Sequence, residues 1–461
     1  MSSAQRGLWF LDQLEEGTPV YNVSLAVRLR GPLDVLVLRA ALAEINDRHE
    51  ALRTRLTVVE GVPVQLVDQH HAVSVTVARP QGGDALRRVA RAIATAESYA
   101  RLPFDLAAGP LWRAVLVRVS EDDHLLVLVF HHAICDDASV RVILSELAQR
   151  YAGSVGGVSA PLAAPPLQYG DFAVWEAGRS DRPDRRAHLA YWTRQLQGLP
   201  DLALPTDRQR SPFVGWRGAT VASDVDPATA VALRRLAASA GTTPFVTLLA
   251  LFSVALARWS GQNDVVVGTP ISLRDRRELE SVVGLLVSTL PIRVNLAGAP
   301  TFREVLAQVG DVVLNAHNHR DTALENLMRE LRPTRDLSRA PLFQVLFYLQ
   351  PDPLDGVSFP GLAIESVELD HQTAKFDLTL SAVEHSDGLA LRLEYRADLF
   401  DPATARRLLG HLHHLLEQEV ADPDRAVGDL EVLTPAERHQ LVVEANATEV
   451  PVPAVRVEEL V

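Results

Sequence analysis

The stretch His124–Phe130 (HLLVLVF) is almost wholly apolar and leads straight into two adjacent histidines, His131 and His132. A strand with one wet face alternates apolar and polar residues, whereas a continuous run of this kind belongs to a strand covered on both faces. The chain must therefore build a sheet buried on both sides and deliver two imidazoles to the end of one of its strands. Burying those rings is costly unless their nitrogens find partners or do chemistry. Neighbours on a strand point to opposite faces, so only one of the pair can face a given cavity.

The flanking sequence alternates between helix and strand patterns. Leu33–His49 has apolar positions at helical spacing, and Leu52–Leu56 continues toward a strand. Ala85–Tyr99 is again helical, with Asp84 placed to cap its start, and Ser139–Tyr151 is an amphipathic helix that Asp137 or Ser139 is placed to cap. In the second half Pro227–Ser239, Thr243–Trp259, Phe302–Asn318, Asp321–Leu331 and Pro402–Glu419 read as helices. Asp264–Gly268, Leu342–Gln350, Leu378–Val383 and Ala390–Tyr395 read as strands. Mixed elements without regular βαβ alternation indicate an α+β class. A chain of 461 residues exceeds one ordinary core, so two lobes of roughly 200 residues each are expected. Gly153–Pro166 (GSVGGVSAPLAAPP) is the clearest linker. Its Gly156-Gly157-Val158-Ser159 superficially matches a carrier-protein modification site, but Pro161, Pro165 and Pro166 prevent the helix such a serine must begin.

A formal net charge of −13 argues against nucleic acid or an anionic membrane as principal partner. Lys375 is the only lysine, a bias that reads as GC-rich coding. The single cysteine, Cys135, excludes an intramolecular disulfide and every cysteine-rich metal site, and it fits a reducing, cytoplasmic setting. No secretory signal opens the chain. Thr242–Trp259 approaches membrane-spanning length, but it carries Thr242, Thr243, Thr247, Ser253 and Arg258, so a buried core helix is expected.

Phe130-His131-His132-Ala133-Ile134-Cys135-Asp136-Asp137 is the strongest chemical constellation. An imidazole with a carboxylate four residues on, past a turn, suits proton handling with a supporting carboxylate. Taken alone, the pattern also suits a purely structural histidine pair. His411, His413 and His414 lie on the last long helix and read as a solvated face, since an i, i+3 pair without a carboxylate makes no metal site. His70 and His71 fall in a loop and receive no role. No metal site, phosphate loop, paired-carboxylate signature or Gly-x-Ser-x-Gly elbow is present.

Ordered motifs along the chain resemble the condensation domains of nonribosomal peptide synthetases. Ser3-Ala4-Gln5-Arg6-Gly7-Leu8-Trp9-Phe10 resembles the first signature of that family, and Arg48-His49-Glu50-Ala51-Leu52-Arg53-Thr54 the second. His131 to Asp136 matches the active-site motif HHxxxDG up to its last residue. Tyr169–Glu176 (YGDFAVWE) resembles the fourth, and Val283–Leu290 (VGLLVSTL) the fifth, with Ser288 where asparagine is common. His319–Glu325 is a worn sixth, and Arg335–Leu342 fits the seventh closely.

The resemblance implies two chloramphenicol-acetyltransferase-like lobes, 1–178 and 179–433, in a V-shaped pseudo-dimer around a central tunnel. Residues 434–461 follow, and Leu433-Thr434-Pro435-Ala436-Glu437-Arg438 at their start is similar to the linker into a following adenylation domain. Upstream donor and downstream acceptor carrier proteins would insert phosphopantetheine arms, and the acceptor amine would attack the donor thioester to form a peptide bond. The domain itself would bind no cofactor and would be a monomer when excised. The implied catalytic motif is His131, His132 and Asp136, with His132 acting or positioning, His131 mostly structural and Asp136 holding the loop through an ion pair with Arg274. Arg53, Ser288 and Asp137 are site-supporting positions.

Asp137 stands where the family usually has glycine. It keeps the backbone N–H that could approach an oxyanion but adds a carboxylate, which could instead turn outward and cap the next helix. Non-catalytic members that recruit tailoring oxygenases have altered versions of this motif, so recruitment is the alternative, with epimerisation or another activity of the superfamily behind it. The identities of the joined amino acids are not legible, and an L-configured donor is favoured weakly.

Overall fold

The computed structural model describes residues 1–448 except 16, 70–72, 81, 83, 158–161, 179–184, 214, 321, 323–326, 329–330, 332–337 and 386–387. His70, His71, most of the sixth signature, the first residues of the seventh, and Val158-Ser159 of the linker thus lie outside the described residues.

The first half runs α1 (Ser3–Leu14), β1 (Asn22–Arg30), α2 (Val35–Arg48), β2 (Thr54–Val59), β3 (Val62–Val67), β4 (Val75–Ala78), α3 (Ala85–Ala100), β5 (Trp112–Ser120), β6 (Asp123–His131), α4 (Asp137–Val155) and α5 (Tyr169–Gly178). The second runs α6 (Arg185–Gln195), β7 (Gly218–Val225), α7 (Pro227–Ser239), α8 (Pro244–Ser260), β8 (Asp264–Ser272), β9 (Val287–Asn295), α9 (Phe302–Asn318), β10 (Val345–Pro351), β11 (Ala363–Ser366), β12 (Leu378–Glu384) and β13 (Leu389–Arg396), followed by a helix over Pro402–Ala421.

Two sheets organise the molecule. One is five-stranded, in the order β11-β1-β6-β5-β4, and the other six-stranded, in the order β7-β13-β12-β10-β8-β9; β2 and β3 form a separate ribbon. β6 lies centrally in the first sheet between β1 and β5, and Leu125 through His131 are all buried. The apolar run is there because both of its faces are covered. Asp84 caps α3 by accepting from the Arg87 N–H at 2.9 Å. In α8 every side chain from Val246 to Ala257 is buried, so this segment is the core helix of the second sheet. No single described helix is long and apolar enough to cross a membrane.

Each sheet has its own apolar core, but the chain does not keep the two apart. Leu279, Val282, Val283, Leu285, Leu286 and Phe359, all from the second half, pack into the first core. β11 adds an edge strand to the first sheet by pairing antiparallel with β1. These crossings carry second-half residues to the end of β6, where the histidines are.

Candidate active site

β6 ends at His131, and its alternation separates the two rings. His131 is 3% exposed, sits between Tyr21 and Phe104, and accepts from the Ala133 N–H through Nδ1 at 3.1 Å. Burial, with smaller contributions from His132 and Lys375, pushes its pKa down to about 3, so it is a neutral structural ring. His132 faces the other way and lines a cavity of about 2440 Å³ between the sheets.

The orientation of His132 is fixed by the main chain. Its own N–H donates to the Tyr21 carbonyl at 2.8 Å. Its Nδ1 lies 2.9 Å from the Cys135 carbonyl, and because a carbonyl only accepts, Nδ1 carries the proton and Nε2 keeps its lone pair. Burial first, then the positive charge of Lys375, lowers its pKa below the usual imidazole range. A neutral imidazole with an acceptor nitrogen in a protein-walled cavity suits accepting a hydrogen bond or proton from an amine.

The turn after His132 is held by Asp136, which is fully buried. Its Oδ1 accepts from the Ser139 N–H (2.8 Å), the Ser139 hydroxyl (2.7 Å) and Arg274 Nη2 (2.9 Å). Its Oδ2 accepts from Arg274 Nη1 (2.7 Å) and the Leu286 N–H (2.9 Å). The N-cap of α4 is therefore Asp136, not Asp137 or Ser139 as the local sequence suggested. The reason is tertiary: Arg274 and the Leu286 amide draw this carboxylate inward, and the same geometry places it over the first turn of α4. Asp137 is the first residue inside the helix, and it is an exposed side chain that lines the cavity. Desolvation by the cavity wall raises its pKa, with a further push from the neighbouring Asp136, against the pull of Lys375 and Arg141.

Residues from the other signatures converge behind this turn. The buried Gln5 donates its side-chain amide to the Ala133 carbonyl at 3.1 Å. Tyr169 donates to the Leu285 carbonyl at 3.0 Å and lies 2.7 Å from the Ser2 hydroxyl. Gly284 donates its N–H to the Ser139 hydroxyl at 3.0 Å. A Cβ at Gly284 would fall 2.0 Å from the Tyr169 ring, so this close approach admits only glycine.

Ser288, on β9, lines the cavity. Arg53 does not: its guanidinium donates to the carbonyls of Asn46, Asp47, Asp68 and Gln69, stapling the end of α2 to the segment after β3. The other histidines also differ from a solvated face. His411 is buried and pairs with Glu437 at 3.0 Å, and His413 bonds the Ser223 hydroxyl at 2.6 Å. Among the described residues no group of three or more His, Cys, Asp or Glu could hold a metal ion.

Sequence reasoning singled out neither Ser139 as a site residue nor Lys375, which lines the cavity, nor Glu394 and Tyr348, which line the cavity wall formed by the second sheet. The pairing register explains that wall. Tyr348 neighbours Ser381, which neighbours Arg392, and Thr379 neighbours Glu394 in the next row. These side chains share one face of the sheet, and all of them line the cavity.

The family model described as condensation domain matches residues 1–442. One chain of the linear gramicidin synthase of Brevibacillus parabrevis is 40% identical over 455 residues, which cover 98% of this chain and 9% of that one. The malpinin synthetase of Mortierella alpina is 37% identical over 460 residues, covering 97% of this chain and 6% of the synthetase. This chain thus spans under a tenth of the length of these relatives. Among solved structures, the complex of the X-domain and OxyB from teicoplanin biosynthesis matches with a TM-score of 0.82 and 30% identity, covering 94% of this chain and 96% of that one. A match across nearly the whole chain, on a fold that carries His132 to an internal cavity, decides the family: this chain belongs to the condensation domains of nonribosomal peptide synthetases.

Proposed function

We propose that the chain joins a donor acyl or peptidyl thioester to the amine of an acceptor aminoacyl thioester, both carried on phosphopantetheine arms of partner carrier proteins. The cavity serves as the tunnel between the lobes 1–178 and 179–433, and residues 434–461 lead toward an adenylation domain. The observation that carries the reading is His132, a neutral imidazole whose Nδ1 is committed to a carbonyl and whose Nε2 is open to the cavity. The acceptor nitrogen attacks the donor carbonyl, the tetrahedral intermediate collapses, the carbon–sulfur bond breaks, and the amine's proton ends on the departing thiol. An α-amine has a reference pKa of about 7.7–8.0, so part of it is already neutral near pH 7. His132 therefore acts chiefly by orienting the amine and stabilising the intermediate, and holding two tethered reactants together supplies much of the acceleration. The reading assigns the domain no resident metal or cofactor.

A second reading has specific support. The likeness to the X-domain and the carboxylate at position 137 together favour a non-catalytic domain that recruits a tailoring oxygenase. One experiment separates the two. The chain is mixed with a loaded donor carrier and a loaded acceptor carrier, with and without chelator, and the acceptor-bound product is identified by mass spectrometry. Amide product that persists with chelator supports condensation. No product from any loaded pair, with binding to an oxygenase, supports recruitment.

A further inference from the structure

Lys375 is the only lysine in a chain whose other basic residues are all arginine. Whatever drives that bias spared this position, and the position lines the same cavity as His132. Arginine and lysine are not equivalent there: a guanidinium is a large planar fork that stays charged, whereas an ammonium is a compact point charge that responds to its surroundings.

Its placement is rigid. The preceding residue, Ala374, is buried and donates its N–H to the Trp216 carbonyl at 3.0 Å. Just beyond it, Asp377 donates its N–H to the Gln344 carbonyl at 2.9 Å. The Glu394 carboxylate accepts the N–H of Lys375 itself and lies 3.4 Å from the Thr379 hydroxyl. The ammonium stands 5.2 Å from the centre of the Tyr21 ring, and Tyr21 is the residue whose carbonyl holds the main chain of His132. Among the described residues this ammonium has no ion-pair partner within 4.0 Å. It is a cation anchored beside the reaction centre and not spent on a structural bridge.

We propose that Lys375 is a positioning residue of the reaction centre, its ammonium offsetting the carboxylate that Asp137 brings to the same cavity and disfavouring a second positive charge on the His132 ring. The inference rests on the condensation reading given above. The positive charge of Lys375 acts on both His132 and Asp137, in each case after the larger effect of burial. Burial lowers the pKa of Lys375 itself, and the negative charges of Glu394 and Asp137 oppose that shift. Other titratable or charged groups facing this region include His131 and Asp136 on the turn, Arg141 on α4, His371 beside Lys375, Tyr348 on β10, and Arg392 and Glu394 on β13, with Arg392 paired to Glu368. Arg141 also acts on Asp137, but Lys375 acts on Asp137 and His132 together, so its removal leaves Asp137 with Arg141 alone and lets His132 bind a proton more readily.

The test uses the whole chain with loaded carriers, together with an NMR titration of the His132 ring. Lys375→Met is expected to slow single-turnover condensation about tenfold or more, with the dependence on acceptor-carrier concentration changed less than about twofold. It is expected to raise the pKa of His132 by about half a unit or more, the direction that follows from deleting a nearby cation. Lys375→Arg should restore that pKa at least in part, because it restores the charge. Combining Lys375→Met with Asp137→Asn should recover most of the lost rate, which a merely structural lysine would not allow. A folded Lys375→Met with an unaltered His132 titration overturns the proposal, whether or not the wild type condenses. If the wild type makes no product at all, the condensation reading fails, while the titration still decides whether Lys375 sets the charge state of His132.

Discussion

Arg274 and Asp136 face each other in a two-pronged contact, Nη1 to Oδ2 at 2.7 Å and Nη2 to Oδ1 at 2.9 Å, with side chains only 6% and 1% exposed. They are 138 residues apart in sequence and join the turn after His132 to the segment following β8. Paired charges removed from water add little net stability, but one left alone is expensive. Arg274→Ala is therefore expected to cost about 3–5 kcal/mol by stranding the Asp136 carboxylate. Chemical denaturation checks this, and an unchanged midpoint would show that water reaches the site.

His132→Ala is expected to lower condensation by about 100-fold or more while leaving the fold intact, the size typical of losing a positioned acid–base group. Among the described residues the ring's one hydrogen bond is to the Cys135 carbonyl and its side chain borders the cavity, so circular dichroism and the melting transition should match wild type. Product at the wild-type rate would take His132 out of the mechanism.

Asp137→Gly leaves the α4 cap in place, because Asp136 supplies it. The expected stability loss is up to about 1 kcal/mol, from a glycine in the first turn and a lost carboxylate at the helix start. Condensation should be kept or raised by up to about threefold, as removing a negative charge near the thioester oxygen lowers the cost of an oxyanion. Single-turnover rates of both proteins decide it. A hundredfold slowing would place this carboxylate in the catalytic machinery.

Glu419, on the helix Pro402–Ala421, is fully buried, and among the described residues neither of its carboxyl oxygens has a hydrogen-bond partner. Burial pushes its pKa up to about 9. The unfolded chain ionises this group near its ordinary value while the folded protein keeps it neutral. Stability is therefore fully present below that ordinary value and lost as the pH rises toward 9. The slope is about 1.4 kcal/mol per pH unit, or about 3 kcal/mol in total by pH 7. Glu419→Gln, neutral at every pH, should remove this loss and exceed wild type in stability at pH 8 but not at pH 4. Urea midpoints at the two pH values provide the measurement.

The parts of the fold that are local in origin were legible. The buried strand ending in histidines, the Asp84 cap and the core helix α8 follow from periodicity and turn chemistry within a few residues. The α4 cap was not, because Asp136 and Asp137 are equally good cap residues until Arg274 and the Leu286 amide choose between them. His411 looked solvent-facing for a related reason: helical spacing cannot show that Glu437, 26 residues on, packs back against it. Lys375 announced itself in composition but not in place, since it lies before β12 and only the folded chain brings that segment to the cavity His132 lines. Arg53 sat inside a recognisable motif yet serves the backbone near β3, because a motif names a neighbourhood and not a direction.

The bond from His132 Nδ1 to the Cys135 carbonyl has a consequence for traffic. In a relay, a carboxylate behind the ring steadies the imidazolium while its proton waits; here the ring is backed by a neutral carbonyl, and burial disfavours the charged form. In the proposed reaction a proton received at Nε2 has no rear exit and no comfortable resting place. It must leave by the door it entered, within the lifetime of one intermediate, and in the proposed reaction the group that takes it is the sulfur of the departing arm. Bond formation and thiol release are thus tied to a single port, and a donor whose sulfur is held away from it should stall with its amide bond unmade.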